Sequence, residues 1–260
     1  MTSRRRDVSP IFHLLMKDGS SRFLHPFNRP EDVFLLETVE VEGFLGNEPD
    51  VSALTAFRNH LYGLVDDGVK EWVQENRFVV RFLLSALVFL VSYFVLAFAI
   101  RDPLPVVDEA VVAFGLSVAT FVFLLRRELR SFEVLERKAR LRKKVDGIRF
   151  QEHPFLRKVE SALWRLEEEG PDALEEASLL LRDRSDTEDR LLSDLNAFLR
   201  GRFASFSWKL VRRSLRSYLA GGGGLSRRVR KVLQSKDGPF FLLHVAIEEP
   251  GGVRGGVNGR

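Results

Sequence analysis

The sequence predicts a mainly α membrane protein: a two-span antiparallel transmembrane hairpin with helical cytoplasmic extensions and a small strand element from the N- and C-terminal segments. Three observations predict it. Residues 82–100 (FLLSALVFLVSYFVLAFAI) run 19 positions without a charge. At ~1.5 Å per residue that run is about 28 Å long, close to the ~30 Å hydrocarbon core of a bilayer. A second apolar run, residues 110–125 (AVVAFGLSVATFVFLL), follows a nine-residue connector. Both runs carry large apolar side chains on every face, unlike the single stripe of a soluble surface helix.

The flanking charges orient the hairpin. Lys70, Arg77 and Arg81 precede the first run. Arg126, Arg127, Arg130, Arg137, Lys138, Arg140, Arg142, Lys143 and Lys144 follow the second, while the connector 101–109 (RDPLPVVDE) holds one basic residue and three acids. Lys and Arg stay on the cytoplasmic side, so both termini are expected there. A bacterial inner (cytoplasmic) membrane is the default location for a chain without processing signals. Arg4 to Arg6 resemble the start of a signal peptide, but the apolar stretch 11–16 is too short to continue one.

Residues 1–50 form a mixed N-terminal cytoplasmic segment. Short apolar or alternating runs at 11–16 and 33–41, separated by turn-rich KDGSS and HPFNRPED, predict a small strand pair. Residues 51–81 predict an amphipathic helix leading into the membrane. Val51, Leu54, Phe57, Leu61, Val65, Val69 and Val73 recur at helical spacing, Asp50 suits the N-cap, and no proline intervenes before residue 100. The hairpin covers 82–125, with spans at about 82–100 and 106–125. Pro103 and Pro105 stop the first span, and Asp108 or Glu109 opens the second.

Residues 126–219 predict a helical cytoplasmic domain. It begins as a stalk over 126–145 and continues with helices at 154–169, 171–184 and 186–199, punctuated by Gly170, Pro171 and Ser185 or Asp186. Residues 220–260 predict a Gly-rich linker (221–224), a basic helix (225–233), a strand (240–248, FFLLHVAIE) and a disordered Gly-rich tail. In the second span, Ala113 with Ser117 and Gly115 with Ala119 give small-xxx-small spacing for close helix approach.

Charge segregation is the main functional signal. Residues 160–194 are acid-rich, whereas 200–236 hold eleven Lys or Arg and no acid. On a helical projection Lys209, Arg212, Arg213 and Arg216 share one arc of about 100°. Phe203, Phe206, Trp208, Leu210, Val211, Leu215, Tyr218 and Leu219 fill the rest. A basic stripe beside a wide aromatic face suits an interfacial helix on anionic lipid. The same pattern suits a core-packed helix whose cations pair with the acidic block. Clustered Arg and aromatics also suit nucleic acid, which is the least expected partner.

Two functions follow as expectations. One is a two-pass membrane protein whose cytoplasmic interaction or scaffolding domain docks on membrane lipids or a protein partner through Phe203, Phe206, Trp208, Lys209, Arg212, Arg213 and Arg216. The other is a small homo-oligomeric cation channel, self-association placing Asp102, Asp108 and Glu109 at its outer mouth. As a simpler role, Asp108 and Glu109 complement the dipole of the second helix.

No enzyme, cofactor or metal is predicted. The chain has no Cys, and His13, His25, His60, His153 and His244 are scattered without ligand spacing. The glycine run at 221–224 lacks the Lys-Ser/Thr of a phosphate loop, and no nucleophile elbow or dinucleotide fingerprint is present.

Overall fold

A computed structural model describes residues 8–99, 107–182, 185–221 and 223–248. Among these residues the chain is mostly helical, with four strands and eleven α-helices. Strands β1 (Val8–Leu15) and β2 (Ser21–Leu24) lead to a 3-10 turn (Pro30–Phe34), α1 (Leu35–Thr38) and β3 (Glu40–Leu45). Next come α2 (Val51–Asn76), α3 (Phe78–Ala99), α4 (Val107–Leu129), α5 (Phe132–Asp146) and β4 (Phe150–Glu152). The remainder is α6 (Pro154–Glu169), α7 (Leu174–Leu180), α8 (Asp186–Arg202), α9 (Phe206–Leu219), α10 (Arg227–Leu233) and α11 (Gly238–Glu248). Two compact units result, one from Met1–Pro26, Val39–Phe57 and Ile148–Arg260, the other from Phe27–Thr38 and Arg58–Gly147. The tail 250–260 and its expected disorder lie outside the described residues.

The first unit contains a four-stranded sheet of order β2-β1-β3-β4. β1 and β2 are antiparallel, with Phe12 opposite Leu24. Gly19 at φ 80° and the Asp18 carboxylate, which accepts from the Ser20 N–H (2.8 Å), make the turn between them. β1–β3 and β3–β4 are parallel. Parallel neighbours need long crossovers, and the connection from β3 to β4 contains α2, α3, α4 and α5. The expected strand at 33–41 forms only at its end. Residues 30–38 turn through short helices, started by Pro30 and by the Asp32 carboxylate that accepts from the Arg29 N–H (2.8 Å).

Residues 240–248 are not a strand. They belong to α11, buried on all sides from Phe240 to Ala246 and packed against α6, α7, α8 and α10. A run of nearly uniform apolarity has no period to separate buried strand from buried helix, and the helices around it decide the matter. Leu156, Val159 and Leu163 of α6 and Leu192, Leu195 and Leu199 of α8 join this core with Phe12 and Leu14 of β1. Polar clamps fix α6 to the sheet. The buried Glu160 carboxylate accepts from the Leu15 N–H (2.9 Å) and from the Asn47 side-chain amide, while the Trp164 indole donates to the Leu15 carbonyl (2.7 Å).

Local signals explain the helix ends. α6 takes the bounds its sequence predicts, with the His153 ring accepting from the Phe155 N–H (3.3 Å), Pro154 in the first turn and Gly170 at φ 66° after the last. Ser185 and Glu188 form a capping box at α8. The expected helix at 171–184 is shorter, a 3-10 turn (Gly170–Ala173) followed by α7. The continuous helix expected from 51 to 100 is interrupted at Arg77, and the stalk expected over 126–145 breaks at Arg130 and Ser131, the latter capping α5.

In the second unit α3 and α4 pack as an antiparallel pair. Arg81 meets Glu128 (2.7 Å), the Ser117 hydroxyl donates to the Ser85 carbonyl (2.8 Å), and Ala113 is buried. A Cβ added at Gly115 would touch nothing, so of the two small-residue pairs it is Ala113 and Ser117 that serve this contact. Both helices are long and apolar enough to cross a membrane, and only 11% and 6% of their most apolar windows are buried within the protein. α5 is tied to its unit by Arg137. This guanidinium makes two hydrogen bonds to Glu37 (2.9 and 2.8 Å) and lies over the Phe34 and Trp72 rings at 4.2 and 4.3 Å.

Two tests follow from the first unit's core. A Cβ at Gly238 would fall 1.8 Å from the Leu233 carbonyl oxygen. Gly238→Ala should therefore push α10 and α11 apart and cost about 2–3 kcal/mol, read as a lowered thermal midpoint by tryptophan fluorescence. His13 is buried in β1 with Nε2 on the Ser21 hydroxyl (2.9 Å) and no partner for Nδ1 among the described residues; burial lowers its pKa to about 4. The unfolded chain binds this proton near pH ~6.5 and the folded chain only near its lower value, so stability is full above ~6.5 and falls toward pH 4. His13→Gln, which does not titrate, should show a shallower acid loss in unfolding measured between pH 7 and 4.

Candidate anion-binding site

Three helices of the first unit build the site. α8 ends in basic residues, its C-cap Phe203 turns into the core, and Ser205 caps α9 in extended backbone. α9 then lies with Val211 and Leu215 buried and Trp208, Arg212, Tyr218 and Leu219 half-buried. Its outward face carries Phe206 (73% exposed), Leu210 (53%), Lys209, Arg213 and Arg216. The Tyr218 hydroxyl donates to Asp172 (2.7 Å). Trp208 stacks on Phe241 at 4.7 Å, and Phe203 meets both rings edge-on at 4.8 and 5.5 Å. These contacts fix the orientation of α9 and hence the direction of its cations.

Beside α9 lies a cavity of about 650 Å³ whose lining includes Phe203, Ala204, Trp208 and His244 together with five basic side chains and one carboxylate. The basic groups are Arg200, Lys209, Arg212, Arg213 and Arg216; the carboxylate is Glu248, from the last turn of α11. Glu248 bridges two of them, accepting from Arg212 Nη1 (2.5 Å) on one oxygen and from Arg200 Nη2 (3.0 Å) on the other. Burial pushes its carboxyl up, but the Arg200 hydrogen bond and the Arg212 charge outweigh that and hold it below the usual carboxylate range. Lys209 and Arg213 form no ion pair among the described residues. His244 is buried, with Nδ1 on the Asn196 carbonyl oxygen (2.9 Å) and Nε2 toward Glu248 (3.8 Å). Burial lowers its pKa below the ordinary histidine value, against the opposing pull of the Glu248 carboxylate.

Of the seven residues singled out on the basic helix, Phe203, Trp208, Lys209, Arg212, Arg213 and Arg216 meet at this cavity and Phe206 stands away from it on the outer face. The helix starts at Phe206, three residues later than the projection assumed. Its wide aromatic side is not a single exposed face. Val211, Leu215 and Phe203 fill the core, leaving Phe206 and Leu210 as the exposed large apolar residues. The cations do not simply mirror the acidic block either, since Arg212 pairs with Glu248 of α11.

Arg200, His244 and Glu248 escaped the sequence reading. The signal for the last two was their i,i+4 spacing, hidden by reading the segment as a strand. Elsewhere, Asp108 and Glu109 occupy the first turn of α4, whereas Asp102 lies outside the described residues. Among the described residues no group of three or more metal-ligating side chains is gathered.

The arrangement is chemically suited to an anion: guanidinium forks and an ammonium offer donors beside the aromatic carbon of Phe203 and Trp208. No protein-family model matches the chain, and no curated protein or solved structure matches it.

Neighbouring arginines on α9 should behave differently. Arg212→Met leaves the largely buried Glu248 with Arg200 alone and should lower stability by about 1–2 kcal/mol. Arg213→Met removes an exposed charge without an ion pair among the described residues and should stay within about 0.5 kcal/mol of the parent. Thermal unfolding of the two variants side by side checks the contrast.

Proposed function

We propose that the chain is a two-pass membrane protein whose mostly helical first unit works as an interaction module, docking on the anionic surface of the membrane through α9. One observation carries this reading: the outward face of α9 sets Lys209, Arg213 and Arg216 beside the exposed Phe206 and Leu210. Cations next to apolar side chains on one exposed strip meet headgroup phosphate and the acyl boundary together. The apolar contribution comes from two side chains rather than a whole helix face, so affinity depends mainly on charge and weakens with salt. The length, apolarity and exposure of α3 and α4 support their role as the two spans. Tethering by those spans keeps the effective concentration of the surface high, so even weak docking is populated.

The full chain in nanodiscs tests the reading. The sequence has no Cys, so Ser217→Cys on the outward face of α9 gives a unique thiol for an environment-sensitive dye. Emission should shift blue when zwitterionic lipid is replaced by anionic lipid. The shift should reverse in high salt and vanish in the combined Lys209→Gln, Arg213→Gln, Arg216→Gln variant. Emission indifferent to lipid charge overturns the docking, and release of the chain from membranes by alkaline extraction overturns the two spans.

A further inference from the structure

We infer that the cavity between α9 and the end of α11 is a binding site for a phosphate monoester carried on an apolar body, and that Glu248 is its internal stand-in. The inference deepens the reading of α9 as an anion-facing helix and rests on it; what it adds is a ligand class and a displaceable counter-ion.

Four observations combine. First, Glu248 already shows how the cavity grips an oxyanion. Each of its two oxygens takes a different guanidinium, Arg200 at 3.0 Å and Arg212 at 2.5 Å. Second, the charge is not balanced, because Arg200 and Arg212 share the one carboxylate while Lys209 and Arg213 have no ion-pair partner among the described residues. A group of one negative charge leaves that excess in place. A phosphate monoester brings about −1.5 to −2 charges and three terminal oxygens, enough to engage several donors at once. Third, the volume of about 650 Å³ far exceeds a phosphate group, and Phe203, Ala204 and Trp208 give the remainder an apolar wall. Fourth, His244 is buried beside the carboxylate and its Nδ1 lies 2.9 Å from the Asn196 side-chain oxygen, which fixes the ring as part of the cavity wall.

Binding on this scheme is an exchange of partners. The phosphate enters between Lys209 and Arg213, takes Arg212 from Glu248, and the freed carboxylate keeps Arg200. Because the incoming group must compete with a residue of the chain itself, weak monoanions are rejected while a dianion succeeds. The same chemistry occurs in a lipid headgroup and in a soluble phosphate, and the apolar wall favours the lipid.

Calorimetric titration of the full chain in neutral detergent micelles tests the inference, with inorganic phosphate, dioctanoyl phosphatidic acid and dioctanoyl phosphatidylglycerol as probes. Phosphatidic acid should bind saturably, at about one per chain, and roughly tenfold more tightly than the monoanionic diester phosphatidylglycerol. Lys209→Gln with Arg213→Gln, both exposed and harmless to the core, should weaken it about tenfold or more. Glu248→Gln removes the competitor and should strengthen it. Inorganic phosphate matching phosphatidic acid upholds the phosphate subsite, assigns a soluble source and overturns the apolar body. Equal affinity for the two lipids, no saturable binding of either phosphate probe, or affinity unmoved by the Lys209 and Arg213 changes overturns it. Phosphate binding in micelles with a Ser217 reporter indifferent to membrane charge would remove the docking reading and leave the cavity standing.

Discussion

Burial of α11 on every side is the constraint from which the first unit follows. A helix with no polar face must be enclosed, and only several helices together can do it. α6, α7, α8 and α10 supply that enclosure, and Gly238 lets α11 start in contact with the backbone that ends α10. The chemistry sits where this enclosure ends. His244 and Glu248 are the polar groups of an otherwise apolar helix, and they emerge in the gap that α9 borders. A hydrophobic requirement thus delivers a carboxylate to a cluster of cations.

Polar contacts then fix what apolar packing leaves free. Apolar contact sets how closely α6 lies on the sheet but not its register. The register comes from Glu160 and Trp164, which take the N–H and the carbonyl of the single residue Leu15. Desolvation raises the Glu160 pKa, and its hydrogen bonds from Leu15 and Asn47 oppose that rise. In the second unit the same division holds between the broad apolar contact of α3 with α4 and the single polar anchors Arg81–Glu128 and Ser117–Ser85. Arg137, between two rings and against one carboxylate, does for α5 what Glu160 does for α6.

Features written in local residues were legible in the sequence. Pro154 and Gly170 bound α6, Ser185 starts α8, Asp50 precedes α2, and uninterrupted apolar composition marks α3 and α4. Each depends on neighbours within a turn or two, or on composition alone. What escaped depends on contacts between distant segments. Residues 240–248 carry no readable period, so only the helices packed around them distinguish α11 from a strand. The projection of α9 located its basic arc but not what covers the opposite side, so Phe203 looked as exposed as Phe206. Glu248 entered no sequence motif because its partners Arg200 and Arg212 lie 48 and 36 positions away.

The route of the chain through its sheet has a consequence for synthesis. β1, β2 and β3 are made early, but β4 and the helices that cover the sheet come only after α3 and α4. During translation the three early strands have neither their fourth neighbour nor the core that Phe12 and Leu14 will enter. Both apolar helices are therefore synthesised while the sheet of the first unit still has an open, unprotected edge. Such late closure raises the sequence separation of the first unit's contacts and slows its folding. It also leaves the nascent N-terminal segment with unpaired strand edges, which favour aggregation, until residue 248 has emerged.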